Sequence, residues 1–355
     1  MAIHTRISAF TDLGQLFKSI VPSDLVENAH SSEKDSKIQQ LIESLKLAEI
    51  HNSWFTPENL SYALNQWSQE LTQQKLENWL KKYSYAEHPK NVGMVLAGNI
   101  PMVGFHDLLS VLLSGNNAIV KTSSKDKILM DFIIDFLRNY NEDLAQAITK
   151  VDRLEEYDAI IATGSNNTAR YFEYYFGKVP NIIRKNRTSV AVLDGNETKE
   201  DLKKLGEDIF MYFGLGCRNV TKLYLPKGFN TDLLFESFYE WNSIINHAKY
   251  ANNYDYNRTV YLMSNENVFL DNNFVILKES QDLHSPIGVI YFEYYEELNK
   301  VKLDLQSQRN NIQCIVGHAF PETEISVSFG ETQHPSLTDY ADGVNVMDFL
   351  ENLKN

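Results

Sequence analysis

Cysteine is scarce in this chain: its 355 residues hold two, Cys217 and Cys314, far apart in sequence. That pattern excludes a disulfide framework and fits a reducing compartment, so a cytoplasmic protein is expected. Long apolar runs are also missing. No stretch approaches the roughly 20 consecutive apolar residues of a membrane span. The opening MAIHTRISAFTDLGQLFKSI lacks the apolar core and the small-residue cleavage pattern of a secretory signal. Basic residues are in deficit, 33 Lys and Arg against 47 Asp and Glu, for a net charge of −14. Such a field repels phosphates and weighs against nucleic acid or an anionic membrane as partner. The nine histidines show neither H-x-x-x-H spacing nor a neighbouring cysteine pair, so no metal site is expected. Internal repeats and low-complexity linkers are absent too.

What is present is an ordinary globular composition, 43% hydrophobic and 23% charged, long enough for two packed domains. Residues 1–90 read as helical. Thr56 as N-cap, Pro57 at the first helical position and an apolar stripe of Leu60, Leu64, Trp67, Leu71, Leu76, Trp79 and Leu80 mark the clearest stretch. From Asn91 the texture alternates. The strand-like NVGMVLAG, NNAIVKTS, YDAIIATG and TSVAVLDG are each followed by a segment of helical period, which predicts an α/β domain over 91–213 with a parallel sheet covered on both faces. A looser repetition, with strands at NVTKLYLP, RTVYLM, GVIYF and NIQCIVG, predicts a second α/β lobe over 214–330. Residues 331–355 are expected to pack back on the body.

Polar residues at strand ends are the candidates for chemistry, because parallel sheets bind ligands beyond the carboxyl ends of their strands. Asn99, in LAGNIP, either donates to an oxyanion or caps the next helix. Lys121, ahead of a Thr-Ser-Ser cluster containing Ser123, either reaches a ribose or phosphate or is a solvated lysine beside an N-cap. Thr163, Gly164 and Ser165 form a turn at a helix start, where backbone amides suit an anion. Cys217 stands behind Gly214 and Gly216, which leave a thiol uncrowded, and beside Arg218 and Lys222; the competing reading is a small buried hydrophobe. Cys314, in IQCIVG, reads as a buried strand residue. The basic run Arg184 to Arg187 either meets an anionic ligand or is a solvated loop.

Taken in order, these segments resemble the aldehyde dehydrogenase superfamily. VGMVLAGNIPMVGFHDLLSVLLSGNNAIVKTSS is similar to its Asn-x-Pro turn, helix, Gly-Asn pair and strand ending in Lys. IIATGS is similar to its Thr-Gly-Ser turn, FGLGCRN to its catalytic-cysteine loop, and SFGETQHP to its closing Phe-Gly segment. The correspondence runs from Asn91 to Gly343. Within that superfamily AGNIP, GLGCRNVTKLYLP and TQHPSLTDYADGV resemble the acyl-CoA reductases, the LuxC-like fatty-acid reductases of bacterial luminescence.

The resemblance implies an aldehyde-dehydrogenase-like fold of two Rossmann-like α/β lobes, nucleotide-binding over 91–213 and catalytic over 214–330, with a helical N-terminal region. It implies Cys217 as acyl-accepting nucleophile and Asn99 as oxyanion donor, with the Cys217 amide beside it. Lys121 and Ser123 would contact the adenosine side of NADPH, or of NADH; Thr163, Gly164 and Ser165 would lie near its pyrophosphate. Asp282, in ESQDLHSPIG, falls where the family holds the nicotinamide ribose, and His334 is a candidate for moving protons.

The implied reaction reduces a long-chain fatty acyl-CoA, or an acyl-protein thioester, to the aldehyde, with CoA as leaving group. A homo-oligomer and an acyl-transferring partner protein are implied as well. The alternatives are a CoA-acylating aldehyde dehydrogenase working oxidatively and a silent subunit that keeps the fold to bind a partner. One departure is informative: the family's Glu-Leu-Gly-Gly motif, whose glutamate activates water, is replaced by NIIRKNRTSV, and no carboxylate lies between Glu173 and Asp194. A thioester reductase must keep water from its acyl-enzyme, and this absence fits that requirement.

Overall fold

A computed structural model describes residues 2–20, 24–25, 36–264 and 268–353. The chain forms two compact units, one of residues up to Asn186 together with those from Ser336 onward, the other Arg187–Pro335.

In the first unit, helices Ala2–Lys18, Ser36–His51, Pro57–Glu70 and Gln73–Leu80 precede the sheet. Thr56 caps the third as its sequence suggests, accepting the Asn59 amide. The apolar stripe is not one helix, however. Thr72 caps a new helix by accepting the Lys75 amide, which breaks the run after Leu71. Leu60, Leu64, Leu71, Leu76 and Trp79 are buried. The helical region packs against the sheet-bearing part: Trp67 meets Phe105 edge-on at 4.6 Å between ring centroids, and Phe10 and Phe17 pack on the same ring. The C-terminal segment joins this unit through Tyr340, whose hydroxyl accepts from Trp79 Nε1 at 2.8 Å.

Five parallel strands form the first sheet: β1 (Asn91–Val95), β2 (Asn117–Lys121), β3 (Ile148–Lys150), β4 (Ala159–Thr163) and β5 (Asn181–Arg184), in the order β3-β2-β1-β4-β5. The chain winds one way from β1 through β3 and the other way from β4, so the order reverses between β1 and β4. Doubly wound sheets open a ligand crevice at that point, beyond the carboxyl ends.

The second unit holds β6 (Thr188–Val192), β7 (Val220–Pro226), β8 (Phe269–Asp271), β9 (Ile276–Glu279), β10 (Val289–Tyr295), β11 (Ile312–Val316) and β12 (Ser326–Val327), ordered β12-β11-β6-β7-β10-β9-β8. Among the described residues only the β8 and β9 pair is antiparallel. Because β6 is buried throughout and ladders with β7 and β11, the division falls at Arg187 and not near residue 214. TSVAVLDG and the helix Lys199–Phe210 therefore belong with the cysteine. RTVYLM is the second correction. Despite its β-branched and aromatic residues it is the end of helix Ala248–Met263, with Leu262 and Met263 exposed. Strand propensity yields there to the helix continuing from Ala248.

Candidate active site

Six of the expected residues meet at the carboxyl edge of the five-stranded sheet. Register pairs Val95 with Lys121 and Thr163 with Arg184, so the loops after β1, β2 and β4 leave at one level. Asn99 is half-buried in the first of these loops. Gly98 lets that loop press on the second, since a Cβ there would meet Ser123 Oγ at 2.6 Å. Lys121 is exposed at the end of β2, and Ser123 caps the short 3-10 turn Ser124–Asp126 by accepting the Lys125 amide.

In the third loop the Gly164 amide donates to the Arg184 carbonyl at 3.2 Å, and Ser165 caps helix Asn166–Phe176 by accepting the Thr168 amide. That helix carries no acidic residue in its first turn. An exposed helix N-terminus without a carboxylate and an exposed lysine fit a dinucleotide's phosphates and ribose.

The basic run contributes differently from either reading of its sequence. Arg184 is buried, with both terminal nitrogens on Asp107, at 2.5 and 2.9 Å, and Nη1 also at 3.5 Å from Thr163 Oγ1. Lys185 pairs with Glu173 and Arg187 donates to the Ile312 carbonyl. Arg184 thus braces the Thr163–Ser165 turn from behind.

In the second unit Cys217 is half-buried in the loop between helix Lys199–Phe210 and β7, while Cys314 is buried in β11. The backbone reaches Cys217 through three successive left-handed residues, Tyr212, Phe213 and Gly214, with φ of 52°, 59° and 75°. Two of the three are not glycine, so the conformation must be held by the surroundings. Asn219 holds it. Wholly buried, its Nδ2 donates to the carbonyls of Asp208, Ile209 and Met211 and its Oδ1 accepts the Gly216 amide. Ser189 Oγ donates to the Cys217 carbonyl at 3.1 Å and accepts the Cys314 amide.

Asp208 ties a further segment to this loop. Its carboxylate, wholly buried, accepts the amides of Gly330 and Thr332 at 2.8 and 3.0 Å, and the Thr332 carbonyl accepts from Arg218 Nε. Burial pushes the Asp208 carboxyl up to about 6 despite those two amides. Arg218 is therefore directed at a carbonyl. His334 is exposed at 3.3 Å from Glu207, whose hydrogen bond raises the imidazole above its ordinary value. Asp282 is exposed; the next residue, Leu283, accepts at its carbonyl from Thr221 Oγ1 at 2.7 Å, four positions beyond Cys217. Ser285 to Gly288 line a cavity of about 30 Å³ together with Phe213 and Gly214. The Asp282 segment thus borders the cysteine loop. Among the described residues no three His, Cys, Asp or Glu side chains gather as metal ligands.

The family model for acyl-CoA reductase (LuxC) matches residues 24–233, more than half of the chain. This chain belongs to the LuxC acyl-CoA reductase family. Membership makes it an oxidoreductase acting on acyl or aldehyde groups. No curated protein matches it in sequence.

Solved structures show the fold of this LuxC-family chain to be that of the aldehyde dehydrogenases. Aldehyde dehydrogenase 21 of Physcomitrella patens, in complex with the reaction product succinate, superposes with a TM-score of 0.64 at 12% identity, covering 99% of this chain and 84% of its own. An NAD-dependent aldehyde dehydrogenase of Sinorhizobium meliloti gives 0.62 at 11% identity, covering 94% and 72%. A variant of aldehyde dehydrogenase C of Pseudomonas syringae, in complex with NAD+ and octanal, gives 0.61 at 9%, covering 89% and 72%. No described helix is long and apolar enough to cross a membrane.

The matched span of the LuxC model contains Asn99, Lys121, Ser123, Thr163 to Ser165 and Cys217, whereas Asp282 and His334 lie beyond it. Sequence reading missed the residues that hold these loops: Asp107, Asp208 and Asn219. One signal was available. Asp208 stands three after Leu205 and six after Leu202, on the buried stripe of its helix, where an unexplained carboxylate marks a polar duty.

Proposed function

We propose that this chain reduces a long-chain fatty acyl thioester to the aldehyde through an acyl-cysteine on Cys217. The reading rests on one pairing of facts. Cys217 lies on a strained, tightly held loop inside the span matched by the acyl-CoA reductase model, and the chain has no carboxylate where aldehyde dehydrogenases activate water.

The Cys217 thiolate attacks the thioester carbonyl. Asn99 and the Cys217 amide donate to the resulting oxyanion, a role in which one lost donor costs about 100- to 1,000-fold. Collapse expels CoA as thiolate and leaves the acyl group on sulfur. Without a positioned carboxylate the acyl-cysteine resists hydrolysis. When bound, a reduced nicotinamide dinucleotide, with NADPH preferred here over NADH, supplies the hydride that converts the acyl-cysteine to a thiohemiacetal. That oxyanion, held by the same donors, expels the Cys217 thiolate and releases the aldehyde.

Lys121 and Ser123 hold the adenosine side of the dinucleotide, Thr163, Gly164 and Ser165 its pyrophosphate, and Asp282 the nicotinamide ribose. The protein works in the cytoplasm as a homo-oligomer and receives acyl groups from CoA or from an acyl-transferring partner. The aldehyde dehydrogenase complex with NAD+ and octanal keeps a second reading in view, oxidative acylation of CoA by the same residues.

Intact-protein mass spectrometry after incubation with a long-chain acyl-CoA, without cofactor, tests the proposal. Wild type gains one acyl mass that NADPH removes as aldehyde, and Cys217→Ala gains none. Equal labelling of the variant removes Cys217 from the mechanism, and no labelling of wild type by any acyl-CoA supports a silent subunit.

A further inference from the structure

Asp126 occupies the N-cap position of helix Lys127–Arg138, yet its side chain caps nothing in that helix. An aspartate there ordinarily accepts an amide of the first turn. Here the carboxyl turns away. Oδ2 accepts the Met102 amide at 2.8 Å, while Oδ1 is buried with no hydrogen-bond partner. Asp126 is 2% exposed and Met102 1%. Met102 adopts φ 56°, an unfavourable conformation for a side chain of its size, three residues after Asn99.

The same seam closes from the other side at Gly98. A Cβ there would stand 2.7 Å from Ser123 Cβ and 3.0 Å from Asp126 Cβ. The turn bearing Ser123 and Asp126 is itself anchored: the Ser124 carbonyl contacts His51 Nε2 at 3.0 Å, and the Lys125 carbonyl accepts from Asn52 Nδ2 at 3.2 Å. Asn99 therefore rides on a loop gripped one residue before it by a steric contact and three residues after it by Asp126. Burial of this carboxyl, with one oxygen unpaired, raises its pKa well above the ordinary value.

We infer that Asp126 is a positioning residue for Asn99: through the Met102 amide it fixes the turn that aims the oxyanion donor. The inference rests on the reading of Asn99 given above. A misplacement of about 1 Å at such a donor can cost about 100-fold in rate.

The test is the rate constant of single-turnover acylation of Cys217 by a long-chain acyl-CoA, followed by mass spectrometry for wild type, Asn99→Ala, Asp126→Ala, Asp126→Asn and Asn99→Ala/Asp126→Ala. Asp126→Ala is expected to slow acylation by about 10- to 100-fold with the half-saturating acyl-CoA concentration unchanged. Asp126→Asn, which keeps an acceptor oxygen on a side chain of the same shape, restores the rate to within about threefold. The double variant is no slower than Asn99→Ala alone, since a positioning residue has nothing left to position.

Wild-type rates in Asp126→Ala beside a slow Asn99→Ala overturn this inference and leave the oxyanion role standing. So do multiplicative losses in the double variant, or an Asp126→Asn as slow as Asp126→Ala. Full activity of Asn99→Ala overturns both. Should Asp126→Ala not fold, Gly98→Ala perturbs the seam with Asp126 in place. It is expected to slow acylation at unchanged half-saturation, and a wild-type rate in that folded variant overturns the inference.

Discussion

The buried side chain of Asn219 holds the amide of Gly216 at 2.8 Å, one residue before Cys217. Its other end donates to three carbonyls at the close of helix Lys199–Phe210. A single amide group thus ends a helix and shapes the turn that presents the thiol.

Replacement Asn219→Ala removes all of these bonds and leaves buried groups unpaired, each at about 1–3 kcal/mol before local relaxation. We expect a stability loss of several kcal/mol in urea unfolding. In whatever fraction stays folded, iodoacetamide should label Cys217 at an altered rate. Asn219→Asp should be no better, because a carboxylate there faces three carbonyl oxygens. Wild-type stability in both variants contradicts the clamp.

Asp208 gives a pH dependence of definite sign. Its carboxyl titrates at about 6 in the folded chain against an ordinary value of 3.8. The folded state therefore holds the proton more tightly. Its relative stabilisation is complete below about 4 and is lost as pH rises to about 6. Two units correspond to about 3 kcal/mol. Asp208→Asn should flatten this segment of the stability profile, measured as the difference from wild type in urea midpoint across pH 4 to 7. Identical profiles would contradict the shift.

The pair of Arg184 and Asp107 should behave as a buried ion pair. Asp107→Ala strands a guanidinium and is expected to cost about 3–5 kcal/mol in urea unfolding, whereas the joint replacement Asp107→Leu/Arg184→Met should cost less than either truncation. Because Arg184 Nη1 also reaches Thr163 Oγ1 in the turn, the joint variant should also bind NADPH more weakly.

At Gly164 an added Cβ would stand 3.0 Å from Thr168 Cγ2 and from Phe172 Cε2. Gly164→Ala should displace the start of helix Asn166–Phe176 and weaken NADPH affinity in calorimetry, with cofactor-free acylation of Cys217 unchanged. Loss of acylation instead would move the turn's role away from the cofactor.

Legibility in the sequence followed the range of the interactions. The alternation from Asn91, the apolar strands, the Thr56 cap and the helix start at Ser165 are patterns within a few residues, and they reappear as β1, β2, β4 and the helices Pro57–Glu70 and Asn166–Phe176. RTVYLM failed because its local preference for strand is weaker than the helix it ends. The unit boundary failed because β6 is assigned by its ladders to β7 and β11, and β11 begins more than a hundred residues away.

The sequence by itself determined an α/β protein with Cys217 behind two glycines, no carboxylate between Glu173 and Asp194, and a motif order that resembles the acyl-CoA reductases. Only the tertiary structure decided what holds those motifs. Arg184 is a buried brace and not a solvated charge, Arg218 is directed at a carbonyl, Asp126 caps no helix, and Asn219 and Asp208 shape the cysteine loop. The reason is desolvation. A polar side chain shows its partner only when folding removes water and forces it to find one, and those partners come from distant parts of the chain.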